Sequence, residues 1–189
     1  NLAQIELPPI ERSILDMELN LVRAFNDAIE KANIEIAKQA KENPQAKLLM
    51  TIPGIDYYSA MLLLAEIGDI NRFPDAKKLC AYAGLVPSVS QSGARTIYGH
   101  ITKQGNRWIR FVIVEAVQRT RTIQPDSPLA AMYRRIQARK GGGVAKVACA
   151  RKLLKIIWFM LTRNEPYRYM DREMYAGKQK RLMRTASKA

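Results

Sequence analysis

Apolar residues recur along most of this chain at spacings of three and four, the period of an α-helix that buries one face. The first such stretch covers residues 9–42. There Leu15, Leu19, Val22, Phe25, Ile29, Ala32 and Ile36 form one stripe, while the other face mixes Glu, Asp, Lys and Arg. Asn43-Pro44 stops it. The segment is longer than a usual globular helix, and two readings satisfy it: a coiled-coil arm that dimerises, or a helix packed on its own domain. A second apolar segment from Leu48 meets a tight Pro53-Gly54-Ile55 turn, and the Ala- and Leu-rich stretch 57–67 follows. Helix, short turn, helix is the outline of a helix-hairpin-helix. Such a turn can offer backbone N–H groups to a phosphate at the start of its second helix, or serve packing alone with Asp56 as N-cap.

Further helices are predicted at 75–83, 106–122, 128–140 and 144–162. Ser127-Pro128 is a helix start, and Gly141-Gly142-Gly143 separates the last two helices. Trp108, Ile109, Val112, Ile113, Ala116 and Val117 form one expected buried face, and Val147, Leu154, Ile157, Trp158 and Leu161 another. Residues 84–95 are rich in Ser, Gly and Pro and read as a loop. No stretch alternates as a strand does. The expected fold is therefore all-α: a helical domain containing a helix-hairpin-helix-like element at 48–67, preceded by a long coiled-coil-like helix. Residues 169–189 read as a basic tail that orders on binding.

Charge adds a partner to this outline. The chain has 31 Lys and Arg against 17 Asp and Glu, a net +14. The excess is uneven: residues 1–90 hold nine basic and twelve acidic residues, and residues 91–189 hold twenty-two and five. A basic half of that kind is matched by a polyanion, nucleic acid above all. An anionic membrane surface is the weaker reading, and no apolar run approaches the roughly 18–20 residues that span a bilayer. Cys80 and Cys149 stand far apart among apolar neighbours, which fits small core residues in a reducing compartment and, with one histidine, builds no zinc site.

The boundary between the two halves is where chemistry could reside. A Gly- and Ser-containing loop before a basic helical region is what phosphoryl transfer to a protein hydroxyl needs, with Ser92 as the candidate nucleophile. Gly93 would allow close backbone approach, and Arg95, Lys103, Arg107 and Arg110 could neutralise phosphate oxygens. His100, the sole histidine, could take a proton or contact a phosphate. A turn serine with no catalytic role satisfies the same residues. Glu115, Asp126 and Glu165 stand isolated among cations, so no magnesium site is expected in this chain.

The order of motifs is more specific than any one of them. Leu49-Met50-Thr51-Ile52-Pro53-Gly54-Ile55, Ala65-Glu66-Ile67-Gly68-Asp69-Ile70, Arg72-Phe73, Ala81-Tyr82-Ala83-Gly84-Leu85-Val86-Pro87, Ser92-Gly93, Gly99-His100-Ile101-Thr102-Lys103-Gln104-Gly105-Asn106 and Arg110 follow one another. Over residues 47–168 this series resembles the C-terminal transposase domain of the DEDD-type insertion-sequence recombinases, the bridge-RNA-guided transposases and the related pilin-gene invertases. The resemblance implies that Ser92, rather than Ser88 or Ser90, attacks DNA to give a covalent phosphoserine link. It also implies that residues 1–46 end a coiled-coil region, and that Mg²⁺ is held by a RuvC-like nuclease domain absent from this chain. DNA, a guide RNA and further copies of the chain, as a dimer or tetramer, are the implied partners, in the cytoplasm of a bacterial or archaeal cell with no membrane role. This portion alone is expected to lack activity. Asp56 departs from the family's commoner Gly-Ile-Gly turn. A non-catalytic module that positions DNA or RNA for a separate nuclease is the alternative function.

Overall fold

The structure is a computed structural model that describes residues 5–92, 95–101 and 104–188, by backbone alone at 89–92, 95–98 and 100. It is mostly helical, as the periodicity predicts. The helices are α1 (Pro9–Glu42), α2 (Pro44–Leu49), α3 (Tyr57–Ile67), α4 (Ala76–Tyr82), α5 (Arg107–Ile123), α6 (Pro128–Arg163) and α7 (Arg172–Ala186). One antiparallel hairpin, β1 (Pro87–Ser92) and β2 (Arg95–Ile101), interrupts them between α4 and α5. The helix starts are written in the sequence: Asn43, Asp56, Asp75, Asn106, Ser127 and Asp171 each accept a backbone N–H of the turn that follows.

The core gathers α2, the turn after it, and one face each of α3, α5 and α6. Leu49, Ile52, Leu63, Ile109, Ile113 and Leu153 are fully buried. Gly54 sits where that turn presses on α5, and a Cβ there would collide with the Ala116 carbonyl, so only glycine fits. Most of the predicted buried positions are indeed inside. Trp108 is the exception, 46 % exposed on the first turn of α5. The expected break after Lys140 is a kink: Gly141, at φ 81°, is the one non-helical residue inside α6 and turns its two halves against each other without a loop.

The second half of α1 meets the rest of the chain: Ala37 and Ala40 are buried, and Glu30 pairs with Lys188 at 2.7 Å. Ile14, Met17, Leu21, Phe25 and Ile29 remain exposed, so the helix does not pack on its own domain along its length.

Residues 169–189, expected as a tail, contain α7, which docks on α1 and on the turn between α2 and α3. Its charge count hid a core contact. Lys178 is 5 % exposed, and its Nζ donates to the carbonyls of Met50 (2.9 Å), Ile52 (2.5 Å) and Ile55 (2.7 Å). An ammonium has three hydrogens, and all three are used. Arg181, one turn on, reaches the Asp56 carboxylate at 3.4 Å. The backbone N–H of Tyr167 closes the same region by donating to the Thr51 hydroxyl at 2.9 Å.

Burial pushes the Lys178 ammonium down to about 8 from an ordinary 10.5, with Asp56 opposing the shift and Arg181 adding to it. Between those two values the unfolded chain holds more protons than the folded one, so this group makes stability rise with pH, by up to about 1.4 kcal/mol per unit. Urea unfolding of wild type and Lys178→Met should therefore show a stability difference that is flat below about pH 7 and widens in favour of wild type from pH 8 to 10. At pH 7 Lys178→Met, which leaves three buried carbonyls without a donor, should cost about 3 kcal/mol. Gly54→Ala should cost at least about 2 kcal/mol in the same assay, because the atom it meets is backbone.

Candidate nucleic-acid interface

The segment read as a loop, 84–95, holds β1 and the first residue of β2. The register of the hairpin pairs Pro87 with Ile101, Val89 with Tyr98, Ser90 with Ile97, Gln91 with Thr96 and Ser92 with Arg95, with an irregularity between Pro87 and Val89. Six residues with one branched apolar side chain among three serines and a glutamine offer no clear alternation. Pairing with β2, rather than the intrinsic pattern, makes β1 a strand. Ser92 is thus the last residue of β1, next to the hairpin turn and opposite Arg95. Gly93 and Lys103 lie outside the described residues, as do the side chains of Ser92, Arg95 and His100.

Both feet of the hairpin are braced. After β2, Asn106 turns the chain into α5: its side-chain oxygen accepts from the N–H groups of Trp108 (2.9 Å) and Ile109 (3.0 Å), and its amide nitrogen donates to Glu66 of α3 at 2.5 Å. The backbone N–H of Asn106 donates to the Tyr82 carbonyl at 2.8 Å, which ties the end of the hairpin to its beginning. Arg110 donates to the Ala83 carbonyl at 2.9 Å and is half-buried. One of its donors therefore serves the scaffold before any ligand arrives. Arg72 lies 4.7 Å from the ring centres of both Phe73 and Tyr82, stiffening the end of α4. Arg107 differs. It is exposed at the start of α5 with its guanidinium 4.9 Å from the Trp108 ring centre, free to meet an anion.

Beside the hairpin base lies a cleft of about 990 Å³, whose other wall is the kinked α6. Lys140, Arg151, Lys152 and Lys155 line it with cations, and no carboxylate among the described residues faces it. The Arg151 Nε is buried with no hydrogen-bond acceptor among the described residues. These cations were visible in the sequence as part of a basic helix. Their convergence with the hairpin was not, because it depends on the Gly141 kink.

Cys80 and Cys149 are buried and free. Burial raises both thiols, Cys149 to about 11, so neither is a thiolate nucleophile near neutral pH. Among the described residues no group of three His, Cys, Asp or Glu side chains converges as a metal site would require. None of the described helices is long and apolar enough to cross a membrane.

With this geometry in place, comparison with known proteins is specific. The chain is similar to the "Transposase for insertion sequence element IS1111A" of Coxiella burnetii (strain RSA 493 / Nine Mile phase I), 30% identical over 166 residues, which is 87% of this chain and 46% of that protein. It is 28% identical over 161 residues to the "Transposase for insertion sequence element IS1328" of Yersinia enterocolitica, covering 84% of this chain and 48% of the relative. A "Probable family 20 transposase" of Pseudomonas aeruginosa is 29% identical over 158 residues, 78% of this chain and 46% of its own. The chain thus spans just under half the length of these relatives. The stretch 46–134, which begins in α2, contains the braced hairpin and reaches the first half of α6, matches a family in its own right. Residues 46–134 match the Transposase IS116/IS110/IS902 family.

Proposed function

We infer that this chain is the DNA-binding and nucleophile-bearing part of an insertion-sequence transposase, and that Ser92 is the nucleophile. The observation that carries the reading is the position of Ser92 at the end of a strand whose two feet are braced, inside the transposase-family stretch. Bracing the base of the strand that carries the nucleophile lowers the entropy lost when its hydroxyl meets the phosphorus. Its Oγ attacks the scissile phosphate as the proton leaves, the P–O3′ bond breaks, and the 3′ oxygen takes a proton. The ester energy stays in a phosphoserine link, so resealing needs no nucleotide cofactor. Mg²⁺ belongs to carboxylates outside this chain. The described residues offer no site for it, and no step above runs through one.

Charge supports the DNA half of the reading: the net excess follows residue 90, and Arg107 stands exposed at the hairpin's foot. The bare apolar stripe of α1 supports assembly with further copies, since a stripe of that period buries itself against another helix. A guide RNA is a further expected partner of the same basic surface.

The test uses the full-length transposase containing this chain, with DNA bearing an element end and Mg²⁺. Wild type should yield a DNA adduct that survives denaturation and is lost on proteolysis, and Ser92→Ala should lower it by at least ~100-fold. Equal adduct from Ser92→Ala, or none from wild type, would leave the chain a non-catalytic binding module. In DNA-binding titrations against salt, Arg107→Ala should reduce the slope by roughly 0.9 with no change in Tm. Arg110→Ala should instead lower stability by about 1 kcal/mol, through the hydrogen bond to Ala83.

A further inference from the structure

The cleft between the hairpin base and α6 combines two surfaces that duplex DNA cannot use together. Its floor is apolar: Leu85, Pro87 and Ile101 from the hairpin side, and Val144, Val147 and Ala148 from α6. Four cations from α6 edge that floor, and the buried Arg151 Nε among them lacks an acceptor. Intact duplex hides its base faces in the stack and would meet the rim while leaving the floor wet. A single strand has apolar base faces alternating with phosphates along one backbone, so both surfaces find a partner. An acidic protein segment would satisfy the rim, but the cleft lies at the base of the hairpin that carries Ser92, where the reading above places DNA.

We propose that this cleft binds unpaired nucleotides of the DNA strand that reaches Ser92, bases on the apolar floor and phosphates on Lys140, Arg151, Lys152 and Lys155. The inference rests on the transposase reading above. The hairpin sets the spacing. Pro87 lines the cleft and Ser92 ends the same strand, five residues on, which at ~3.4 Å per residue is about 17 Å. That equals about five nucleotide steps of B-form DNA, or fewer of an extended strand. The unpaired stretch should therefore lie within about five nucleotides of the attacked phosphate. No aromatic side chain among the described residues lines the cleft, so selectivity should be for strand state rather than base identity.

Fluorescence anisotropy on the 189-residue chain tests this with a labelled DNA strand of about 20 nucleotides and with the blunt duplex of the same sequence, at one salt concentration. Wild type should bind the single strand roughly tenfold more tightly. Val144, 47 % exposed on the cleft wall, can be enlarged without entering the core. Val144→Trp should abolish the single-strand preference while duplex affinity and circular dichroism stay unchanged, and Lys152→Ala should weaken single-strand binding more than duplex binding. Equal affinity of wild type for the two DNAs, or an undiminished preference in Val144→Trp, overturns the cleft assignment. So does a change of oligomeric state in Val144→Trp without loss of preference, which would make the cleft a contact between copies. Failure of wild type to bind either DNA in a salt-dependent way overturns the transposase reading itself, whereas duplex binding without strand preference overturns the cleft alone.

Discussion

The Lys178 ammonium joins stretches of chain more than a hundred positions apart, and much of the molecule is arranged around that contact. Three carbonyls of one turn, those of Met50, Ile52 and Ile55, converge on three N–H donors of one side chain. Neither side is stable alone. The carbonyls are buried beyond the reach of water, and an ammonium placed in the same core without them would shed its proton. Together they lock the turn between α2 and α3 against α7, while Gly54 lets the other side of that turn lie on the backbone of α5. This explains why the helix-hairpin-helix outline is not an exposed phosphate clamp. Thr51, Ile52, Pro53 and Ile55 are buried, and the turn's polar groups face inward. It also gives Asp56 a role, as cap of α3 and partner of Arg181.

That locked turn is the far end of a scaffold whose near end is the hairpin. α3 contributes Glu66 to Asn106, α4 contributes the Tyr82 and Ala83 carbonyls to Asn106 and Arg110, and α5 begins where those bonds meet. Rigidity at the feet of β1 and β2 suits the nucleophile-bearing role proposed for Ser92. The cations divide accordingly. Arg72 and Arg110 are occupied by rings and carbonyls, whereas Arg107 and the cleft lysines face outward. A basic residue count therefore overstates the surface available to a polyanion, since some of the positive charge holds the protein together.

Most of the helical architecture was legible in the sequence because helix formation is local. Period, caps and the Gly141 break are written within a few residues of where they act, and Asp75, Asn106 and Ser127 start helices as their residue types imply, whereas Asn43, read as a stop, also caps α2. The burial of Ile109, Val112, Ile113 and Leu154 follows from the same period. The charge asymmetry and the family resemblance also needed no coordinates.

What the tertiary structure alone decided concerns pairs distant in sequence. Ser-rich residues 87–92 became a strand because β2 supplied the partner hydrogen bonds, a contribution absent from their own pattern. Basic residues after 169 became a docked helix because one of their lysines matches three carbonyls whose convergence no linear reading can show. Trp108, apolar and on the expected face, stays outside beside Arg107, while its neighbour Ile109 takes the buried place at that end of α5. The cleft exists because a kink in α6 and the foot of a hairpin arrive at the same place. Periodicity records which face of an element is apolar; which groups then meet is set by long-range geometry, and there a lysine count or a serine-rich stretch acquires its meaning.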